Sequence, residues 1–175
     1  MKNLKLILLT VITMLTLLSC GTSHNYTNST LNKNFYDGKT IYFQLNTKSQ
    51  NTINFSGMVT TVFAGIAQPN LKETFKLSIK ELANETNLNL KFIESFDEVD
   101  GEEPLIIDTD ISIINWHFGF SVATLKTVIN FKNIRDNREI QATGIRKSGG
   151  GDDMNNLKKS LKDATFNYLK EYQKP

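Results

Sequence analysis

The sequence has few of the residues on which most catalytic and metal sites depend. It contains one cysteine, two histidines and three prolines in 175 residues. A single cysteine excludes an internal disulfide framework, and it also excludes a zinc or iron–sulfur site built from several cysteines. The two histidines, His24 and His117, leave little material for histidine-based catalysis or metal binding. We therefore expect no metal and no cofactor.

The sequence also lacks an excess of charge of either sign. Its formal net charge is +2 at pH 7. Lys2 and Lys5 lie in an N-terminal stretch that looks removable, and without them 18 basic and 18 acidic residues remain. A balanced chain has no surplus cations to neutralise phosphates, so we expect no nucleic-acid partner. The remaining chain of about 156 residues is long enough for one ordinary domain.

The N-terminal residues carry the clearest motif. Residues 1–20 read MKNLKLILLTVITMLTLLSC, with a basic start and 13 uncharged residues from Leu6 to Leu18. As a helix this run extends only about 20 Å, whereas a hydrocarbon core is about 30 Å thick. An export signal therefore fits this stretch better than a transmembrane anchor does.

The end of this run, Leu17-Leu18-Ser19-Cys20, resembles the lipobox of bacterial lipoproteins. The resemblance implies cleavage before Cys20, a diacylglycerol thioether on its sulfur and usually an acyl chain such as palmitate on its amine. Several acyl chains, at about 0.8 kcal/mol for each buried CH₂, hold a protein firmly on a membrane. Gly21 follows the cysteine and no acidic run comes after it, which favours the periplasmic face of the outer membrane. The alternative is an ordinary secretory signal with an accidental cysteine.

Composition and periodicity divide the rest of the chain into a tether and a domain. Residues 1–19 are predicted to be the signal peptide. Residues 20–39 are predicted to form the lipidated cysteine and a flexible tether, because they are rich in Asn, Ser, Thr and Gly. Residues 40–175 are predicted to form a single α+β domain.

Within the domain, alternating patterns predict strands and helical spacings predict two amphipathic helices. The predicted strands are 40–46, 88–96, 105–118, 120–133 and 139–146, and the predicted helices are 71–86 and about 153–172. Asn70 and one of Asp152 or Asp153 are the expected helix caps. The short connections predict an antiparallel meander. The order β-α-β-β-β-β-α predicts a two-layer sandwich with both helices on one face of a largely antiparallel sheet.

Two apolar segments are candidate surfaces for a partner or ligand. The first lies in residues 54–69, where Met58, Val62, Phe63 and Ile66 favour a short apolar helical face. A buried connection is the alternative for that segment. The second consists of Trp116, His117 and Phe118, where aromatic rings flank a histidine and form either a ligand pocket or the end of a core.

Three polar motifs have both a functional and a structural interpretation. Residues 94–103 hold six carboxylates, which suit a hard cation or a solvated loop. Asp108 and Asp110 share one face of a strand, as paired catalytic carboxylates do, and we expect Ser112 and Trp116 on that same solvent-facing side. Ser148 and the glycines at 149–151 suit a phosphate cradle or a flexible connection before the last helix.

The order of these elements resembles the small α+β lipoproteins of Gram-negative envelopes. That family includes the lipopolysaccharide-assembly lipoprotein and the auxiliary lipoproteins of ABC-type envelope transport. The resemblance is carried by Cys20, the polar stretch after it, the strand and helix up to Asn87, and the meander that runs through GIRKSGGGD at 144–152 into the last helix. It covers residues 40–173 approximately, and it transfers no individual functional residue.

This resemblance favours a non-enzymatic lipoprotein in the outer membrane that serves an envelope transport or assembly complex through a protein partner. A lipid- or glycan-binding lipoprotein that uses residues 57–68 and the aromatics near His117 is one alternative. A small envelope hydrolase that uses Asp108 and Asp110 is another.

Overall fold

The computed structural model describes residues 26–27, 30–57, 68–101, 103–149 and 152–175. Within that part the helices are α1 (Lys33–Tyr36), α2 (Leu71–Thr86) and α3 (Asp153–Tyr172), and a 3-10 turn covers Phe96–Glu98. The strands are β1 (Thr40–Leu45), β2 (Asn54–Gly57), β3 (Asn89–Ile93), β4 (Leu105–Phe118), β5 (Ala123–Asn133) and β6 (Glu139–Ser148). The elements predicted from the sequence are present with similar bounds, and α1 and β2 are additional.

The strands form one mixed sheet, on which the helices pack as an α+β sandwich. The strand order is β3-β1-β4-β5-β6, and β2 lies beside the end of β4. β4, β5 and β6 form the expected antiparallel meander. The prediction that residues 88–96 join this meander is wrong, because β1 lies between β3 and β4 and runs parallel to both. The helical crossover through α2 explains this arrangement, since two neighbouring parallel strands require a long connection.

The core lies between one face of the sheet, which we call the helix-covered face, and helices α2 and α3. Phe43 occupies its centre, with its ring centroid 6.5 Å from that of Phe75 on α2 and 6.2 Å from that of Tyr168 on α3. The ring of Tyr168 also stacks on Phe131 of β5 at 4.4 Å. All four side chains are fully buried. This aromatic contact joins both helices to the middle of the sheet.

Helix α3 approaches β6 most closely at Gly144. A Cβ atom on this residue would lie 1.9 Å from the carbonyl oxygen of Ser160. The hydroxyl of Ser160 donates a hydrogen bond to the Gly144 carbonyl at 3.0 Å, and it lies 3.0 Å from the hydroxyl of Thr127. Only glycine leaves room for this contact between helix and strand backbones.

A β-bulge in β4 changes which side chains face the helices. The register with β5 shifts between Ile111 and Ile113. Before the shift, odd-numbered residues such as Ile107 and Ile111 are buried, and after it the even-numbered Ile114 and Trp116 are buried. The expectation that Trp116 shares the solvent-facing side with Asp108 and Asp110 is therefore wrong, because the extra residue reverses the alternation.

The N-terminal part that the structure describes is packed rather than a free tether. Tyr26, Leu31 and Tyr36 are buried. Two hydrogen bonds join residues 30–32 to Gln173, from the Asn32 amide to Oε1 at 2.7 Å and from Nε2 to the Thr30 carbonyl at 3.3 Å. We call Tyr26 and residues 30–36 the N-terminal strap. The prediction of a flexible tether up to residue 39 is wrong for this strap, because its few apolar side chains all pack on the domain.

Candidate functional site

Several predicted functional residues lie outside the described residues. These are Cys20 and four members of the apolar segment, Met58, Val62, Phe63 and Ile66. The lipid anchor at Cys20 and the apolar surface of the segment therefore stay predictions. The flanking residues are described: Gly57 ends β2 beside Phe118, and the Gln68 side chain accepts a hydrogen bond from the Ile53 amide at 2.8 Å.

The aromatic residues around His117 do not form one surface. Trp116 is only 2% exposed, and its ring packs on Phe118 at 5.0 Å and on Phe55 at 6.1 Å. Phe118 is half-buried on the same side. His117 points to the opposite side, where its Nδ1 lies 3.2 Å from the Ser56 hydroxyl. The core alternative therefore describes Trp116, and the expected recognition surface of three neighbouring side chains is not formed.

The side of the sheet opposite the helices, which we call the open face, carries the paired aspartates. Asp108 accepts a hydrogen bond from the side-chain amide of Asn46 at 2.8 Å, and its register partner on β5 is Lys132. Asp110 is opposite Asn130. The two carboxylates thus share a face as predicted, but their neighbours are amides and an ammonium group rather than a nucleophile. A general acid or base requires a reacting group within hydrogen-bond reach.

We call residues 94–103 the acidic loop, and several of its described carboxylates make contacts within the fold. Glu98 accepts hydrogen bonds from the backbone amides of Glu94 and Ser95 at 2.8 and 2.9 Å. Asp100 accepts from the hydroxyl of Tyr42, so the loop covers Tyr42 on the open-face side of β1. In the described part of the chain, no three His, Cys, Asp or Glu side chains gather as a metal site would require.

The acidic loop is also paired with α2 through an exposed salt bridge. Lys72 lies 2.8 Å from the Glu94 carboxylate. Its hydrogen bond and positive charge hold the pKa of Glu94 below its usual range. Phe96, at the tip of this loop, is 49% exposed. The loop therefore presents an exposed aromatic ring among carboxylates, several of which are hydrogen-bonded.

The predicted phosphate cradle is only partly described. Ser148 and Gly149 belong to the described residues, whereas Gly150 and Gly151 do not. Asp152 caps α3 by accepting a hydrogen bond from the Met154 amide at 3.2 Å. Partial burial and the neighbouring Asp152 raise the pKa of Asp153. Two acidic side chains at this helix N-terminus oppose the binding of a phosphate there.

A cleft that the sequence did not predict lies between the end of β1 and the start of α2. Its volume is about 700 Å³. Leu45 and Phe92 give it apolar walls, and Lys72 and Glu94 add two opposite charges. Much of the remaining lining consists of amide or hydroxyl side chains: Asn46, Ser49, Asn51, Thr52, Gln68 and Asn70. Such a mixture of apolar surface and a few polar groups is typical of small-ligand sites. Sequence reasoning missed the cleft because loops far apart in the chain form it.

A second feature that the sequence did not predict is the place where the N-terminal strap meets α3. The Tyr26 ring packs on Phe166 at 4.7 Å, and its hydroxyl donates to the Asp163 carboxylate at 3.2 Å. Burial and the Asp163 carboxylate raise the pKa of Tyr26. Tyr36 donates to the Leu169 carbonyl at 2.6 Å. The available signal in the sequence was the presence of Tyr26, Leu31, Phe35 and Tyr36 in a stretch that is mostly polar.

The fold is a two-layer α+β sandwich with a mixed sheet. No protein-family model matches the chain, and no curated protein matches it. Among solved structures it is similar to a PelC dodecamer from Paraburkholderia phytofirmans, with 3% identity and a TM-score of 0.36 over 74% of this chain and 86% of that one. It is also similar to a ribosomal subunit interface protein from Coxiella burnetii, with 15% identity and a TM-score of 0.28 over 70% and 97% of the two chains. Similarities this distant carry no function to the present chain.

None of the helices in the described ranges combines the length and apolarity needed to cross a bilayer.

Proposed function

We propose that this chain is a lipid-anchored, non-enzymatic lipoprotein that serves as an accessory or binding component of an envelope transport or assembly complex. The observation that carries the proposal is the sequence Leu17-Leu18-Ser19-Cys20, which places the only cysteine of the chain directly after an export signal. The lipid fixes the protein at the periplasmic face of the outer membrane. Its role there is positional, as in the lipopolysaccharide-assembly and transport-auxiliary lipoproteins that it resembles.

Two features of the domain support a binding role. The open face of the β4-β5-β6 meander has no helix over it in the described chain, and it carries the exposed side chains Ile113 and Ile145. Phe96 on the acidic loop adds an exposed ring on the same side of the sheet. Apolar side chains within a polar surface of this kind are common in protein–protein contacts.

Metabolic labelling with an alkyne fatty acid tests the anchor. Wild-type protein is expected to take up the label and to sediment with outer membranes, and the Cys20→Ser variant is expected to lose both properties. Ser19→Ala keeps a small residue before the cysteine and serves as the matched control that retains the label. Equal labelling of wild type and Cys20→Ser refutes the lipoprotein proposal.

Photocrosslinking in intact cells tests the binding role. A crosslinking amino acid in place of Ile113 or Ile145 is expected to give a discrete covalent adduct with an envelope protein. Leu77 on α2 is the matched control, since its side chain is 38% exposed and that of Ile145 is 39% exposed. Adducts from all three positions, or from Leu77 alone, contradict a partner on the open face.

Glycan binding is the second candidate function, and the cleft beside α2 favours it. Gln68 uses its Oε1 atom to accept from Ile53 and Asn70 uses its Oδ1 atom to accept from Glu73. Their amide groups have donors left for the hydroxyls of a sugar, and the Phe92 ring offers an apolar wall. Titration with soluble peptidoglycan fragments and lipopolysaccharide core oligosaccharides, followed by NMR, should shift the resonances of Asn51 and Thr52. Unchanged spectra exclude this function for those glycans.

A further inference from the structure

We propose that the outer surface of α3, at the point where Tyr26 docks, faces the anionic lipid surface, and that the open face of the sheet consequently points away from the membrane. This inference rests on the proposed lipid anchor at Cys20. It goes beyond that proposal because it assigns the membrane-facing side of the domain.

Tyr26 is held on α3 by three contacts. Its ring packs on Phe166, and its hydroxyl donates a hydrogen bond to the Asp163 carboxylate. The ammonium group of Lys162 lies 5.4 Å from the ring centroid. Tyr26 is 3% exposed. Tyr26 is therefore held on the helix layer, on the side of α3 that faces away from the core.

The chain between Cys20 and Tyr26 is short. Six Cα–Cα steps separate Cys20 from Tyr26, and they span at most about 20 Å when fully extended. The helix layer and the sheet together are also about 20 Å thick, since a helix is about 10 Å wide and packed layers lie about 10 Å apart. The tether has to pass around the domain, along a path longer than this thickness, so a lipid on Cys20 lacks the reach to bring the open face against the bilayer.

Basic side chains gather on the helix layer near Tyr26. The outer side of the helix layer carries the half-buried side chains of Lys158, Lys159 and Lys170, and Lys162 and Arg146 lie close by. Partial burial and the nearby charges of Arg146, Lys158 and Lys162 lower the pKa of Lys159, which agrees with a cluster of cations.

Acidic groups facing this cluster are Glu81 and Glu85 on α2 and Asp163 on α3, and they neutralise part of it. The acidic loop, in contrast, lies on the open-face side, where it covers Tyr42. An anionic lipid surface attracts the first region and repels the second.

Energy transfer to a lipid-borne acceptor tests this orientation. The dye is attached through p-azidophenylalanine in place of Asn84 on α2 or of Lys126 on β5, two exposed positions on opposite sides of the domain. The protein is reconstituted on vesicles of phosphatidylethanolamine and phosphatidylglycerol that carry a headgroup acceptor. We expect the transfer rate from position 84 to exceed that from position 126 at least twofold. Equal rates, or a higher rate from position 126, overturn the proposal.

A longer tether is the matched control. Insertion of a Gly/Ser segment of about 20 residues after Thr22 gives the domain freedom to turn, so the difference between the two positions should fall by half or more. A difference that survives this insertion at full size overturns the role of the short tether.

The mass of the purified protein separates this proposal from the proposed function. A mass without acyl chains refutes the lipoprotein proposal. The free thiol of Cys20 is then coupled to a maleimide lipid, and the same comparison of positions 84 and 126 decides the orientation.

Discussion

The two faces of the sheet differ in what covers them and in what their side chains do. On the helix-covered face, Phe43, Ile111 and Phe131 are fully buried against α2 and α3. On the open face, Ile113 is 42% exposed and lies opposite the buried Val128, while the next pair on this face, Asn115 and Lys126, is polar. The helix-covered face therefore supplies most of the folding free energy, because stabilisation scales with the apolar area removed from water. The other face is available for binding with little cost in stability.

The largest effect is expected where the helix layer meets the sheet backbone. Replacement of Gly144 by alanine forces a Cβ atom to 1.9 Å from the Ser160 carbonyl, so α3 has to move away from β6. We expect a loss of about 3 kcal/mol or more in the free energy of unfolding, measured by urea titration.

Gly38→Ala is the control for this substitution. Gly38 has a φ of +69° with open space around its Cβ position, so only the backbone conformation is penalised, by about 1 kcal/mol. Similar losses for both variants would mean that α3 does not pack tightly on β6.

Substitutions at Trp116 and His117 measure how much each face contributes to stability within one strand. Trp116→Ala removes a buried indole from the aromatic cluster with Phe55 and Phe118 and is expected to cost about 3–5 kcal/mol. His117→Ala, one residue later on the open face, is expected to stay within about 0.5 kcal/mol of wild type. Chemical denaturation of both variants measures the difference. A cost for His117→Ala as large as that for Trp116→Ala would reverse the assignment of faces.

The pH dependence of stability tests the contact between the two helices. Lys158 and Lys162 on α3 donate hydrogen bonds to the Glu81 carboxylate on α2. Partial burial raises the pKa of Glu81, but the hydrogen bonds from these lysines outweigh it and hold the pKa below its ordinary value of 4.5. A carboxyl whose pKa is lower in the folded state stabilises the fold above its unfolded pKa. That stabilisation is lost as the pH falls through the folded value.

We expect Glu81→Gln to lower stability by about 1 kcal/mol at pH 7, after allowance for solvent screening of this partly exposed group. Below the folded pKa the variant and the wild type should converge. Thermal unfolding at pH 7 and pH 3 measures both values. A difference that persists unchanged at pH 3 would show that the effect is not electrostatic.

The smallest effect is expected for the paired aspartates of the open face. Asp108→Asn with Asp110→Asn keeps the shape of both side chains and is expected to change stability by less than about 1 kcal/mol. Photocrosslinking through position 145 should be retained. Loss of a hydrolytic activity that the wild type possesses would instead favour the small envelope hydrolase.

Much of the fold was predictable because local patterns decided it. The spacing of Leu71, Phe75, Ile79 and Leu82 indicates α2, and Asn70 caps this helix as predicted through the Glu73 amide at 3.1 Å. The alternation of β5 predicts its buried side. The bulge in β4 was not predictable, because its register with β5 depends on the partner strand, and it moved Trp116 from the predicted solvent side into the core.

The candidate site was less predictable than the fold. The cleft beside α2 joins residues from three separate parts of the chain, and no local pattern indicates that they meet. The strap was missed because composition averaged over residues 21–39 hides four aromatic or aliphatic side chains, whose contacts with the domain outweigh the disorder that the polar residues favour.

Periodicity, composition and short motifs are local properties, and they predict most of the helices and strands, the balance of charge and the candidate anchor at Cys20. Three features emerge only from the tertiary structure: β1 lies between β3 and β4, Trp116 is buried, and Tyr26 packs on α3. Each of these depends on contacts between residues far apart in the chain. Burial of apolar surface selects such contacts only when the whole domain packs together.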